Sequence, residues 1–355
     1  MVDNVDVIMK RAFSGRAVLL PLCKEIENML KFSNILTCKP VGVYPIVGSS
    51  INNNNIKIYT DLNDLSQADF IIAGYLEKIS RCLNRDFLET ILNIALKQNK
   101  HVFSFDDINI PRYSALLTRA KEQNLIFYTP QIYPTQDMIY NKSIDRIKWK
   151  RNIMIAGTGS NQGKFTVFLK ICEELRRRNI LFKSMGSEHH AYFFGVDSVF
   201  PYGKSNSIKA SVQKWPSYLQ YELSRIYEKE AILLSVSQAG VIQYAITKDV
   251  SKVQSVCSSS FIFGINPESV ILVINPHIDK KKYIHDTITY LKIIHNVKVV
   301  CLTFSDRVIG TKENRLLTMA DINNFKHDLE LEYGLSTFCI GNNDDIASIV
   351  DKIMM

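Results

Sequence analysis

No C-x-x-C pair occurs anywhere in the sequence, and its seven cysteines (Cys23, Cys38, Cys82, Cys172, Cys257, Cys301 and Cys339) are odd in number and scattered. This excludes a thiolate zinc site and a disulfide framework, and points to reduced, buried thiols in a cytoplasm. A long apolar run is also lacking. The most apolar stretch, AILLSVSQAGVIQYAI (Ala231–Ile246), is too short and too polar to span a bilayer. The opening MVDNVDVIMKRAF carries acids where a secretory signal needs bases, and it has no apolar core. A cytoplasmic protein with no membrane partner is therefore expected. Missing too is an aromatic-interleaved basic stripe of the kind that binds single strands. The 43 Lys and Arg against 35 Asp and Glu, a net charge of +8, would suit an anionic partner. The densest basic runs, however, are Arg176–Arg178, which reads as the end of an amphipathic helix, and Lys280–Lys282, which reads as a loop or helix start. Both are expected to be solvated surface, and nucleic acid is not expected as a partner.

What is present is an ordinary globular composition, with 46% hydrophobic and 22% charged residues over 355 positions. At roughly 100–200 residues per domain, that length predicts two domains. The first half alternates short apolar runs with helix-period segments. Strands are expected at Arg16–Leu22, Pro40–Ile46, Ile56–Thr60, Ala68–Gly74, His101–Phe105 and Ile126–Pro130, and the clearest amphipathic helix at Arg85–Asn99. Strands separated by helices imply right-handed crossovers and a doubly wound parallel sheet. The turn after the first strand, PLCKEIEN, has no glycine to admit a pyrophosphate, so NAD is not expected there. The tract Asn52–Asn55 reads as an exposed loop. A charged, proline-containing stretch, Tyr133–Arg151, reads as a linker carrying a short helix. It sets a boundary near Lys150, giving domains 1–149 and 150–355. The second half is again α/β, with strands expected at Leu181–Met185, Ala231–Ser235, Val270–Asn275 and Lys298–Thr303. Its helices are expected around Pro216–Glu228, Tyr283–His295, Met319–Tyr333 and Asp344–Met354.

The strongest chemical signal is Gly157-Thr158-Gly159-Ser160-Asn161-Gln162-Gly163-Lys164-Phe165-Thr166, set between an apolar strand (Ile153–Ala156) and a helical segment. Glycines let backbone amides curl around an anion, a helix N-terminus adds about half a positive charge, and Lys164 adds a full one. Two positions depart from G-x-x-x-x-G-K-[ST]. Thr158 stands where the first glycine is expected, and Phe165 where the magnesium-binding hydroxyl belongs, leaving Thr166 as the nearest replacement.

The motif GTGSNQGKFT resembles the GT-x-x-x-x-GK-x-T loop of a bacterial family long labelled a domain of unknown function. Its members pair an N-terminal Rossmann-like domain with a C-terminal phosphate-loop domain similar to dethiobiotin synthetase, and they include D-glutamate N-acetyltransferases. Gly195–Phe200 (GVDSVF), Ser235–Ile242 (SVSQAGVI), Gly264–Pro276 (GINPESVILVINP) and, in the first half, ADFIIAG followed by KHVFSFDDI resemble further segments of it in order and spacing. Leu20–Leu36 and Gly186–Pro201 also resemble a clostridial peptide-maturation family encoded beside small peptide precursors and radical enzymes. In the first resemblance Gln238 matches the family's glutamine, but the acid before it is replaced by Val236. An acid there would hold magnesium or orient a nucleophile, so its loss argues against efficient hydrolysis or transfer.

Other candidates stay open between chemistry and structure. Glu188-His189-His190 follow a strand at the carboxyl end of the sheet. Glu188 reads as a substitute for the missing carboxylate and one histidine as an acid/base or phosphate contact, or the three form a polar loop. Asp197 is a second magnesium-side acid or a turn cap. Asp106-Asp107 read as caps of a helical segment at Ile108–Arg112, or as residues facing the second domain, and His277 as structural. The fold expected is two doubly wound parallel-sheet α/β domains, Rossmann-like and then phosphate-loop NTPase-like. Lys164, Glu188 and Gln238 are the expected catalytic residues, and residues 157–166 are expected to hold ATP or GTP with Mg2+, or alternatively acetyl-CoA. Thr166 and Asp197 are expected on the metal. A small-molecule or peptide substrate, maturation enzymes and a homo-oligomer complete the expected partners.

Overall fold

Strands form where the sequence runs continuously apolar, as strands buried on both faces require. The computed structural model describes residues 5–45, 57–62, 64–135, 138, 147–203, 207–242, 254–308 and 315–355. The Asn52–Asn55 tract and most of the expected linker helix (139–146) lie outside these described residues. The chain divides into two compact units. The first is Met1–Ile132 with His189–Gly195 and Lys204–Ser207, and the second is Tyr133–Glu188, Val196–Gly203 and Ile208–Met355.

The first unit runs α1 (Val5–Ala12), β1 (Arg16–Leu20), α2 (Lys24–Lys31), β2 (Lys39–Val43), β3 (Lys57–Ile58), β4 (Phe70–Ala73), α3 (Glu77–Cys82), α4 (Phe87–Lys97), β5 (His101–Ser104), α5 (Ser114–Glu122) and β6 (Phe127–Tyr128). Its strands pair in parallel in the order β3-β2-β1-β4-β5-β6, so the winding reverses between β1 and β4. The two-residue alternation of strands divides the core. Val18, Leu20, Ile71, Ala73 and Val102 pack with residues of α4 and α5. Phe70 and Phe103 point the other way. There Phe13 packs edge-on to both, and Phe193 lies 4.8 Å from Phe103 and 6.3 Å from Phe70 between ring centroids.

The second unit runs β7 (Arg151–Gly157), α6 (Lys164–Arg177), β8 (Phe182–Gly186), β9 (Ser198–Val199), α7 (Trp215–Ile226), β10 (Ile232–Val236), α8 (Gln254–Ile265), β11 (Ser269–Ile274), α9 (Lys281–Ile294), β12 (Lys298–Phe304), α10 (Met319–Tyr333), β13 (Thr337–Cys339) and α11 (Asn343–Met354). The seven strands are parallel in the order β13-β12-β11-β7-β10-β8-β9. With right-handed crossovers, α6 leaves β7 over one face, where α11 packs against it, and α7 pairs with α8 over the other. The winding reverses at β7, whose carboxyl end is where such sheets place ligands. The fold is thus the expected one, two doubly wound parallel sheets with flanking helices.

All seven cysteines are free, and Cys38, Cys172, Cys301 and Cys339 are buried while Cys82 is exposed. Burial pushes the thiols of Cys38, Cys172 and Cys301 up to about 12, which keeps them protonated and unreactive. No helix among the described residues is long and apolar enough to cross a membrane.

Candidate phosphate-loop site

The loop between β7 and α6 wraps around a single acceptor. Gly159 N donates to Gln162 Oε1 at 2.8 Å, and the Thr158 hydroxyl lies 3.0 Å from the same oxygen. Gly163 holds the helix N-cap at φ +95°, a left-handed conformation that glycine adopts without steric penalty. Lys164 begins α6, is 5% exposed, and donates from Nζ to Gly159 O at 2.6 Å. The tip, Ser160 and Asn161, is exposed, whereas Gly157, Thr158 and Gln162 are buried. Phe165 turns inward onto Phe168, 5.7 Å between centroids, and Thr166 is half-buried in the first turn. The loop therefore carries an amide, a helix N-terminus and an ammonium within one turn. Together these can hold an anionic oxygen.

Two residues that motif reading passed over support this geometry. The Asp279 carboxylate, just after β11, accepts from Asn275 N at 2.7 Å and Gln162 Nε2 at 3.2 Å, and it meets the Thr158 hydroxyl. Burial raises its pKa above the usual carboxylate value, while these donors and the charge of Lys164 act in the opposite direction. Tyr283 on α9 lies with its hydroxyl 2.8 Å from both the Thr158 and Ile242 carbonyl oxygens. Nothing in a Walker-type pattern marks either one. The weak signal was the N-P-x-x-D run Asn275–Asp279 at a strand's carboxyl end. Arg307, after β12, lines a shallow cleft with Gln162 and Asn275 and adds a second cation near the loop.

The remaining candidates are placed as follows. Val236 ends β10 buried, so no acid stands at that strand end. Gln238 donates its backbone amide to Tyr202 Oη at 2.9 Å, and its side-chain amide lies against Gly203. The Asp197 carboxylate accepts from Ser184 N and Ser184 Oγ, both at 2.8 Å, and pairs with Lys183 at 3.6 Å. These contacts tie it to β8. Glu188, His189 and His190 are all buried rather than forming a solvated polar loop. His189 places Nδ1 3.0 Å from Tyr75 Oη and Nε2 2.7 Å from Ser207 Oγ, within the first unit. Asp106 caps the chain before α3 by accepting from Leu76 N and Glu77 N, and Asp107 accepts from Asn109 N. His277 packs edge-on against Phe325, 4.9 Å between centroids. Among the described residues no group of three His, Cys, Asp or Glu could hold a metal ion.

Over 96% of this chain and 98% of the other, the chain is similar to a DUF1611 family protein from Anabaena variabilis, at 15% identity and a TM-score of 0.68. The two share a fold. In this chain that fold is two parallel α/β sheets with flanking helices. Lower similarity, at a TM-score of 0.37 and 13% identity, extends to a nucleotide-binding protein in complex with ADP from Archaeoglobus fulgidus, over 62% of this chain and 92% of that one. At a TM-score of 0.34 and 12% identity it extends to the signal recognition particle 54 kDa protein from Aeropyrum pernix in complex with GDP, over 75% of this chain and 61% of that one. No family model and no curated protein matches the chain.

Proposed function

We propose that this chain is a phosphate-loop nucleotide-binding protein that takes ATP or GTP with Mg2+ and acts as an enzyme on a small acid or a ribosomal peptide in peptide maturation. The observation that supports binding is that Gly159 N donates to a neutral acceptor, Gln162 Oε1, in a Gly-rich turn that ends at Lys164 on the start of α6. A phosphate oxygen is a stronger acceptor than a carboxamide and would replace it there, with Lys164 exchanging the Gly159 carbonyl for the anion. Thr166, in the first turn, is the residue for the metal. With no acidic cluster among the described residues, the phosphates and water would supply most of its oxygen ligands. Magnesium bound in this way neutralises phosphate charge. Glu188 is assigned as the substitute for the missing magnesium-side carboxylate and Gln238 as the contact to a substrate or phosphate edge.

A nucleotide-gated scaffold is the second reading, favoured by the buried Val236 at the end of β10. Without an acid on that strand, a bound nucleotide is held rather than turned over.

Thermal unfolding with ATP, GTP, their diphosphates, acetyl-CoA or CoA, each with Mg2+, tests these assignments. A ligand at about 100 times its dissociation constant adds about 2.7 kcal/mol of stability. ATP or GTP is expected to raise the melting temperature of the wild type and not of Lys164→Ala. A shift with acetyl-CoA alone would replace the nucleotide reading with an acyltransferase of the D-glutamate N-acetyltransferase kind. No shift with any ligand would overturn binding at this loop. Turnover of bound triphosphate in the absence of a partner would count against the scaffold.

A further inference from the structure

A cavity of about 620 Å³ in the first unit lies beyond the carboxyl ends of β4 and β5, the end of a doubly wound sheet where ligands bind. That volume suits a small organic molecule. Its lining combines apolar surface from Leu88, Ile110 and Tyr113 with three guanidiniums and four carboxylates.

Most of these charges already have partners. Asp86, 9% exposed at its side chain, accepts from Glu89 N as the cap of α4, from the Tyr113 hydroxyl at 2.9 Å and from Arg112 Nε at 2.8 Å. Glu77 pairs with Arg81. Asp106 receives the Leu76 and Glu77 amides, and Asp107 the Asn109 amide. Arg85 differs. Its backbone amide donates to Ser80 O, but its guanidinium has no ion pair or hydrogen bond among the described residues.

We infer that this cavity binds a small organic monocarboxylate with a flat apolar body, the carboxylate meeting Arg85 and the body lying on Leu88, Ile110 and Tyr113. A guanidinium fork matches one carboxylate in two parallel hydrogen bonds. The apolar wall supplies the remaining contact, because burying apolar surface is favourable whatever its source. The four carboxylates set the charge of the ligand. They disfavour a dianion such as phosphate or a trianion such as citrate, and they leave one guanidinium for one negative group. The inference goes beyond the nucleotide reading and does not depend on it, since the ligand needs neither the phosphate loop nor a nucleotide.

The test is calorimetric titration of the full-length chain, without nucleotide, using benzoate, 2-naphthoate, 2-naphthol, citrate and inorganic phosphate. The two monocarboxylates are expected to bind, 2-naphthoate more tightly. Arg85→Ala, at an exposed position, is expected to melt as the wild type does and to bind them about tenfold more weakly or worse. Ile110→Trp, which fills the cavity from its wall, is expected to weaken them as well. The inference is overturned if neither monocarboxylate binds, if citrate or phosphate binds more tightly, if 2-naphthol binds as well as 2-naphthoate, or if Arg85→Ala leaves binding unchanged.

Discussion

Asp279 holds the phosphate loop closed by accepting from Gln162 and Asn275 and by meeting the Thr158 hydroxyl. Burial penalises its charged form more than these partners and Lys164 favour it, so its folded pKa lies above the ordinary value of 3.8. An acid raised in this way binds its proton more tightly in the folded chain than in the unfolded one. Stability contributed by Asp279 is therefore highest at low pH and is lost as pH rises from the unfolded value through the folded one, after which the loss is constant. Asp279→Asn keeps an oxygen for the same donors and removes the titration. Its urea midpoints, followed upward from about pH 4, are expected to lack the decline that the wild type shows. Parallel curves for the two proteins would reject the assignment. A second residue tests the same closure. A Cβ at Gly240 would stand 2.5 Å from the Thr158 carbonyl oxygen, a backbone atom that cannot swing aside. Gly240→Ala is expected to destabilise the chain by about 1–3 kcal/mol, as overpacking does, and to weaken any nucleotide-induced shift. An unchanged melting temperature would show that the loop tolerates a wider separation there.

At the level of elements, the helix that follows the loop is anchored at its far end. Arg178 bridges Glu174, on the same helix, to Asp351 on α11, and its guanidinium also donates to Ala347 O at 3.0 Å. The Arg176–Arg178 run is therefore not simply solvated surface: Arg178 ties α6 to α11, and Arg176 lies over the Phe182 ring. Arg177 and Arg178 hold the Glu174 carboxyl down to about 2 from 4.5. A depressed acid stabilises the fold above its unfolded value, and that stability is lost as pH falls toward its folded value. Glu174→Gln is expected to lower stability by about 1 kcal/mol at neutral pH, since pairs open to solvent on one side are screened. The loss should vanish near pH 2. A loss of equal size at both pH values would assign the effect to packing rather than charge. The elements legible in the sequence were those with a period or an uninterrupted apolar run, such as β4, β5, β10, α4 and α9. Strands β9 and β13, at two and three residues, are too short to carry a pattern. Helix α8 was missed because its apolar residues surround it rather than forming one stripe. In the candidate site, residues 157–166 were legible because a phosphate loop is contiguous. Asp279 was not, because it meets Thr158 across 121 positions of sequence, and no local spacing encodes that contact.

For the whole molecule, the informative feature is that the first unit is not built from one continuous stretch. His189–Gly195, which follows β8 in the chain, belongs to it, and Phe193 there is fully buried against Phe70 and Phe103. Thr37 N donates to Phe193 O at 2.8 Å, and Ile132 N to Ser207 O at 2.9 Å, so backbone bonds fasten both inserted pieces. Composition and periodicity place the boundary near Lys150 because they register only local changes; they cannot show that a later segment fills the open face of an earlier sheet. A fragment ending at residue 149 lacks Phe193 and exposes Phe70 and Phe103, aromatic rings that are fully buried in the intact chain. That fragment is expected to show no cooperative thermal transition and to bind a hydrophobic dye. In the intact chain, Phe193→Ala removes the same ring without removing the backbone bonds and is expected to destabilise by about 3–5 kcal/mol, as large-to-small core changes do. If fragment 1–149 melts cooperatively while Phe193→Ala stays within about 0.5 kcal/mol of the wild type, the inserted segment is an ornament on a self-sufficient sheet. If both lose stability, the first unit folds only when the chain has been made as far as Phe193, and its folding is coupled to the region that follows the phosphate loop.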